Sequence, residues 1–283
     1  MARVLVTGAG GQLGDDVTAA CRTAGDDVTA LDRATLDIAH RSHVHETFGD
    51  VHPEIVINCA AWTAVDACES DPDRAMLVNG TAVGYLREAC ERADAHLVQI
   101  STDYVFDGTL DRPYVETDRP NPRSAYGRSK LAGESAAGPD ATIVRTSWVC
   151  GEHGHNMVKT VLRLLETHDA LSFVDDQQGC PTFTADLAPL VRRLASERSS
   201  GLFHATNQGA VSWYEFVRDI VAAAGRDPEM VRPIATADLD PPRPAPRPAN
   251  SVLENAALRA AGIPLLRHYR EPLAELVGRL TAR

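Results

Sequence analysis

Short apolar, β-branched runs recur through the first half of the chain, and stretches with helical character separate them. Arg3–Thr7, Val28–Leu31, Ile55–Cys59, His96–Ile100 and Ala141–Thr146 read as buried strands. Gln12 to about Gly25 and about Pro72 to Ala93 read as helices. Ser124 is placed to cap another, with Pro122 just upstream and helix formers after it. Strands alternating with helices predict an open parallel sheet covered on both faces. Beyond Gly151 the rhythm changes. GEHGHN is a loop, Met157–Thr167 an amphipathic helix, Leu171–Val174 a strand and DDQQGCPTF a turn. Asp186–Glu197 is helical, Gly201–Ala205 is a strand, Ser212 caps a helix through Ala224, and Ala257–Arg283 ends in a helix. The proline-rich PPRPAPRPAN, Pro241–Asn250, excludes regular helix and central strand. It reads either as a linker or as an ordered loop that brings Arg243 and Arg247 to a diphosphate. The expected fold is α/β: a Rossmann doubly wound parallel sheet over residues 1–150, and a smaller α/β substrate domain over 151–283 from which some segments return to the first.

Composition narrows the classes. The chain has 283 residues, 44% hydrophobic and 24% charged, enough for a sizeable core. A net charge of −11 with no Lys/Arg cluster argues against a nucleic-acid surface. There is no apolar run long enough to span a membrane, and MARVLVTG leads straight into a motif, so neither a membrane segment nor a signal peptide is expected. The six cysteines are dispersed, without C-x-x-C, and read as buried thiols in a reducing cytoplasm. His40, His43, His45 and His52 lack an acidic partner set and read as a solvated helix face; no metal is expected.

The candidate chemistry lies just past strand ends. TGAGGQLG, with Gly8, Gly11 and Gly14, joins the first strand to a helix N-terminus. Its glycines let backbone approach a pyrophosphate that the free N–H groups and helix dipole attract. Asp32 ends the next strand, where a carboxylate can take two ribose hydroxyls, while Arg33 beside it could hold a 2′-phosphate. NADH and NADPH both remain open. Asp37 and Ile38 follow where an adenine could lie. NCAAWTAVDACES leaves room for a ligand beside the third strand, and Asn79 could tie neighbouring strand ends together. The fourth strand ends in STDYVFDG, with Thr102. Tyr126 and Lys130 sit four apart on a helix, hence on one face, and a nearby ammonium favours the phenolate. The expected result is a phenol of lowered pKa, fit for acid–base work.

TGAGGQLG, NCAAWTAVDACES, STDYVFDG, YGRSK, RTSWVCGEHGHN, DDQQGCPTF and RPANSVL occur in this order over essentially the whole chain. Together they resemble the dTDP-4-dehydrorhamnose reductases, a branch of the extended short-chain dehydrogenase/reductases. The resemblance implies a Rossmann domain binding NADPH or NADH and a C-terminal domain covering a dTDP-sugar. It implies pyrophosphate contacts from Gly11, Gln12 and Leu13, adenosine contacts from Asp32, Asp37 and Ile38, and further dinucleotide contacts from Ala60, Ala61, Trp62 and Thr63. It implies Thr102, Tyr126 and Lys130 as the catalytic set. Val65, Asp103, Tyr104, Phe106, Trp148, Arg247 and Asn250, with Thr102, would surround the sugar nucleotide. Relatives often have His where Trp62 stands, so contacts there can differ. Some relatives pair subunits through acidic residues and Mg²⁺; Asp16 is near the matching position, the other ligands are not evident, and a homodimer remains open. Three other readings are another nucleotide-sugar 4-ketoreductase of antibiotic deoxysugar biosynthesis, a 4,6-dehydratase or 4-epimerase, and a non-catalytic regulatory subunit. Dehydratases usually carry Thr-Asp-Glu at this strand end, whereas here Tyr104 replaces the Glu.

Overall fold

The computed structural model describes residues 1–282. In chain order the first elements are β1 (Arg3–Thr7), α1 (Gln12–Thr23), β2 (Asp27–Leu31), α2 (Arg41–Val51), β3 (Ile55–Asn58), α3 (Val65–Ser70), α4 (Pro72–Met76), α5 (Ala82–Ala93) and β4 (His96–Thr102). Then come α6 (Ala125–Ala137), β5 (Thr142–Thr146), β6 (Val149–Cys150), α7 (Met157–Leu164), β7 (Leu171–Val174), β8 (Gln178–Gly179) and β9 (Thr182–Phe183). The last are α8 (Thr184–Ser196), β10 (Gly201–His204), β11 (Val211–Ser212), α9 (Trp213–Ala223), β12 (Val231–Ile234), α10 (Ala256–Ala260) and α11 (Arg270–Thr281).

Six strands form one parallel sheet in the order β2–β1–β3–β4–β5–β10. The chain runs outward from β1 to β2 and then crosses back to β3. The C-terminal ends of β1 and β3 therefore flank a switch point, the place where such sheets open a crevice for ligands. Val4 and Val6 of β1 face Val17 and Cys21 of α1 and Leu187, Val191 and Leu194 of α8 on one side of the sheet. Leu5 and Val56 face Val44, Val83 and Leu86 of α2 and α5 on the other. This alternation is the two-residue period of a strand, with both faces apolar because both are covered.

A separate core gathers Val158 and Val161 of α7, Leu171 of β7, Phe216 and Ile220 of α9, and Leu273 and Leu276 of α11. Here β7 pairs with β12 in parallel, and β6 and β8 pair with β9 and β11. Ser212 caps α9 in a reciprocal capping box with Glu215.

The helix expected over Pro72–Ala93 is present and continuous, with one irregular turn inside it. Leu77–Thr81 forms a π-helical turn between α4 and α5. It carries Asn79, whose side chain accepts from the Trp62 N–H (2.8 Å) and donates to the Trp62 carbonyl and the Ser129 hydroxyl, both at 3.0 Å. The sequence suggests that Asn79 ties neighbouring strand ends together; it instead joins the loop after β3 to α6. All six cysteines are free, and all but half-buried Cys59 are buried. Among the described residues no helix is long and apolar enough to cross a membrane.

Candidate active site

The switch-point crevice is a cleft of about 500 Å³ lined by Gly8, Gly10, Gly11, Asp32, Arg33, Asp37, Ile38, Ala60, Ala61 and Trp62, together with Ala34, Leu36, Cys59, Arg74 and Val78. Its floor needs glycine at two positions. Gly8 has φ +66°, and a Cβ there would lie 2.6 Å from the Ala60 nitrogen. A Cβ on Gly14 would lie 2.2 Å from the Gly8 carbonyl oxygen, so the turn could not close onto α1. The first N–H groups of α1 have no partner within the helix and open toward this turn. Asp32 Oδ1 is taken up by the N–H groups of Ala34 and Thr35 and by the Thr35 hydroxyl, which hold the carboxylate below its usual range. Arg33 is exposed and lies 3.7 Å from Asp37. Arg74 stacks over Trp62, 4.5 Å from the ring centre. The donor set, the paired glycines and the volume suit a dinucleotide.

Gln12 and Leu13 lie outside the lining of this cleft. Gln12 Oε1 accepts from Asn156 at 3.0 Å, and Gly154 packs on its side chain, so the GEHGHN loop covers the start of α1. The Leu13 side chain is in the sheet core; only its backbone remains for a pyrophosphate. Thr63 is exposed, beyond the cleft.

Tyr126 and Lys130 are both buried on α6, with Ser124 capping the helix through Gly127 at 3.0 Å, as its sequence suggests. The helix lies very close to its neighbours. A Cβ on Gly127 would be 2.2 Å from the Tyr104 carbonyl oxygen, and one on Gly133 equally near that of Asn79. Lys130 Nζ donates to the Ile100 carbonyl at 2.6 Å, against the end of β4. The Thr102 hydroxyl donates to Asp103 Oδ1 at 2.9 Å and accepts from the Tyr104 N–H at 3.3 Å, capping a 3₁₀ turn over Asp103–Val105. Thr102, Tyr126 and Lys130 thus come to one strand end, beside the cleft.

The electrostatics differ from the sequence reading. Burial pushes the Tyr126 phenol upward, and the Thr102 hydroxyl only partly offsets this. The expected drop does not occur, because removing a phenolate from water is costly and Asp103 and Tyr104 push in the same direction. Lys130 itself is brought down to about 8 by burial, against an upward pull from Glu134. Asp103 is pushed up to about 6 by burial, with the Ser251 and Thr102 hydroxyls pulling it back, and its Oδ2 has no hydrogen-bond partner. Tyr104 meets Tyr126 edge to face at 5.6 Å and is pushed up to about 12, first by burial and then by Asp103.

Of the residues expected around a sugar nucleotide, Tyr104 meets Tyr126, and Val65 packs against the cluster of Cys68, Ala75, Ala125 and Tyr126. Trp148 has φ +46° and stacks on Trp213 at 3.5 Å, with Gly179 against its ring. Three others are otherwise engaged. Phe106 is core: it stacks on Tyr114 at 4.2 Å beside Val105 and Leu253, under the Arg145 guanidinium. Asn250 holds a loop together, its amide donating to the Leu110 and Arg112 carbonyls and its Oδ1 accepting from Val252. Arg247 forms a two-pronged pair with Asp66 at 2.5 and 2.7 Å. Arg74, Val78 and Trp213 were not singled out in the sequence; only the cation–aromatic pairing of Arg74 with Trp62 could have suggested one of them.

Asp15, Asp16 and His153 bring one ligand atom each within 4.8 Å of one another, so Asp16 does have neighbours of ligand type, supplied in part by the GEHGHN loop. His153 is 3.0 Å from Asp15. The histidines of α2 form no such group among the described residues; His45 lies 3.6 Å from Glu88 instead.

Residues 2–282 match the model of the RmlD substrate binding domain family. The chain is 44% identical to a dTDP-4-dehydrorhamnose reductase of Streptomyces griseus, over 99% of this chain and 95% of that one. The chain belongs to the dTDP-4-dehydrorhamnose reductase family. It is also 44% identical to the spore coat polysaccharide biosynthesis protein SpsK of Bacillus subtilis strain 168, over 97% and 96% of the two chains. The crystal structure of dTDP-4-dehydrorhamnose reductase from Bacillus anthracis in complex with NADP superposes with a TM-score of 0.93 at 36% identity, covering 97% of this chain and 98% of that one. The family consists of NAD(P)H-dependent dTDP-sugar reductases, and this chain shares their α/β fold.

Proposed function

We propose that this enzyme reduces the C4 ketone of a dTDP-4-keto-6-deoxysugar with NADPH or NADH, and that its substrate is dTDP-4-dehydro-L-rhamnose, giving dTDP-L-rhamnose. The observation that carries the reading is the meeting of Tyr126, Lys130 and Thr102 at the end of β4, beside a cleft that suits a dinucleotide. Support for the substrate comes from the family and its Streptomyces griseus member.

The dinucleotide would be held by the Gly8–Gly14 turn and α1 at the pyrophosphate, by Asp32 and Asp37 at the adenosine, and by Lys130 at the nicotinamide ribose. When bound, it supplies a hydride to the ketone carbon. The chain's part is then to manage charge on the ketone oxygen. Tyr126 keeps its proton at neutral pH because burial disfavours its phenolate, so it enters the reaction as a neutral acid and gives that proton to the oxygen. Thr102 turns its hydroxyl to the same oxygen. Trp148, Val65 and Tyr104 would contact the sugar.

Tyr104 favours reduction over dehydration. A phenol pushed up to about 12 is no substitute for the carboxylate base an elimination requires. Arg33 and Arg74 at the adenosine end, and the NADP in the Bacillus anthracis relative, favour NADPH. A second reading, reduction of a different dTDP-4-keto-6-deoxysugar, draws on the 40% identity to the dTDP-4-keto-6-deoxy-D-glucose reductase of Streptomyces niveus, over 99% of this chain and 98% of that one. Oxidation of NADH and NADPH with dTDP-4-dehydro-L-rhamnose, with NMR of the product, tests both. Turnover yielding dTDP-L-rhamnose supports the first reading. No turnover with this ketone, but turnover with an isomeric dTDP-4-keto-6-deoxysugar, supports the second.

A further inference from the structure

The face of α6 that carries Tyr126 and Lys130 continues one turn further to Glu134, at the same four-residue spacing. Glu134 is a buried carboxylate, 7% exposed, and it is fully engaged. Oε1 accepts from the Ser101 hydroxyl at 2.5 Å and from Arg145 Nε at 2.8 Å, and Oε2 accepts from Arg145 Nη2 at 2.7 Å. Ser101 stands between Ile100, whose carbonyl holds Lys130, and Thr102. One strand end is thus gripped from one helix at neighbouring residues. Arg145 anchors the grip from β5 and is itself buried. A buried ion pair is costly to build and gives little net stability over an apolar replacement, so its placement behind a catalytic lysine calls for a reason.

We propose that Glu134 is a positioning residue for the reduction: clamped by Arg145 and Ser101, it fixes the register of α6 on β4 and supplies the negative charge that keeps Lys130 a cation. The inference rests on the roles assigned above to Tyr126 and Lys130. The groups that act on Lys130 support it. Burial drives its charge off, Glu134 is the main opposing influence, and Cys59 at the end of β3 contributes less. Arg145 lies behind Glu134. Asp103 and Tyr104, from the turn after β4, act on Tyr126 instead. With Lys130 near 8, a reaction that needs its ammonium loses activity as pH rises past that value.

The test is the pH profile of kcat/KM for wild type, Glu134→Gln and Glu134→Asp, with NADPH binding and thermal melting measured on the same samples. Gln keeps the shape and an acceptor for Arg145 but removes the charge. The expected result is an alkaline limb displaced to lower pH by about half a unit or more in the Gln variant, and restored in the Asp variant. A Gln variant that melts earlier but keeps the wild-type limb would show a purely structural clamp and overturn the inference. If the Gln variant does not fold, Ser101→Ala and the Asp variant carry the test: both keep the charge and should keep the limb while lowering kcat, and a limb displaced in either would overturn it. Tyr126→Phe run alongside separates the two levels. Retained turnover in that variant would remove the underlying assignment, whereas lost turnover with an unmoved Gln limb would remove only the role of Glu134.

Discussion

Arg247 holds Asp66 through both terminal nitrogens, at 2.5 and 2.7 Å, and the Ala245 N–H donates to the same carboxylate at 3.1 Å. The proline-rich segment is therefore an ordered strap fastened to the start of α3, and Asp66 is held below the usual carboxylate range, chiefly by Arg247. Arg243 stands 4.0 Å from the same group and is exposed. The arginine expected to be free for a diphosphate already has an anion.

This pair makes a first prediction. Asp66 is partly exposed, so solvent screening limits the pair's strength. A double-mutant cycle of Asp66→Asn and Arg247→Met, read by thermal or urea unfolding, should give a coupling of about 1 kcal/mol that shrinks in high salt. A coupling indistinguishable from zero at low salt would mean that the strap is held by something else.

A second prediction concerns α6. Ala is intrinsically better than Gly in a helix by about 1 kcal/mol. At Gly127 and Gly133 that advantage should be reversed, because a Cβ would fall 2.2 Å from a backbone carbonyl in each case. Gly127→Ala and Gly133→Ala should each destabilise by roughly 2 kcal/mol or more. Gly49→Ala, on exposed α2 with nothing within 4 Å, should stabilise by up to about 1 kcal/mol. Melting temperatures that rise in all three variants would contradict the close packing.

The third follows from Asp103. Its folded pKa, up to about 6, lies above the unfolded value, so the native state binds the extra proton and stability falls as pH rises from about 4 to 6. Asp103→Asn should be more stable than wild type at pH 7.5, by an amount of the order of 2–3 kcal/mol less whatever the unpaired amide costs. The gain should vanish at about pH 3, where both states of the wild type are mostly protonated. Urea titrations at the two pH values decide it; a difference independent of pH would place the carboxyl in a more solvated site.

Much of this was legible in the sequence because the signals were local. The apolar β-branched runs marked five strands of the main sheet to within two residues at either end, and the glycine turn sat where a strand meets a helix. The Ser124 cap needed only its neighbours. What was not legible depended on distant partners. Phe106 looked like part of a ligand loop, but the 3₁₀ turn over Asp103–Val105 resets the alternation after β4 and carries its ring inward to Tyr114. Asn250 finds its acceptors 140 and 138 residues earlier in the chain. The phenol's pKa went the other way because spacing reports which groups are neighbours and says nothing of how much water remains between them.

The central claim is that Tyr126 gives its proton to the ketone oxygen. The most direct measurement is the rate of NADPH oxidation by Tyr126→Phe with dTDP-4-dehydro-L-rhamnose, alongside a fluorescence titration of NADPH binding. The account predicts a kcat reduced by about 10² or more with cofactor affinity within a few-fold of wild type. A phenylalanine variant that turns over at the wild-type rate would contradict it.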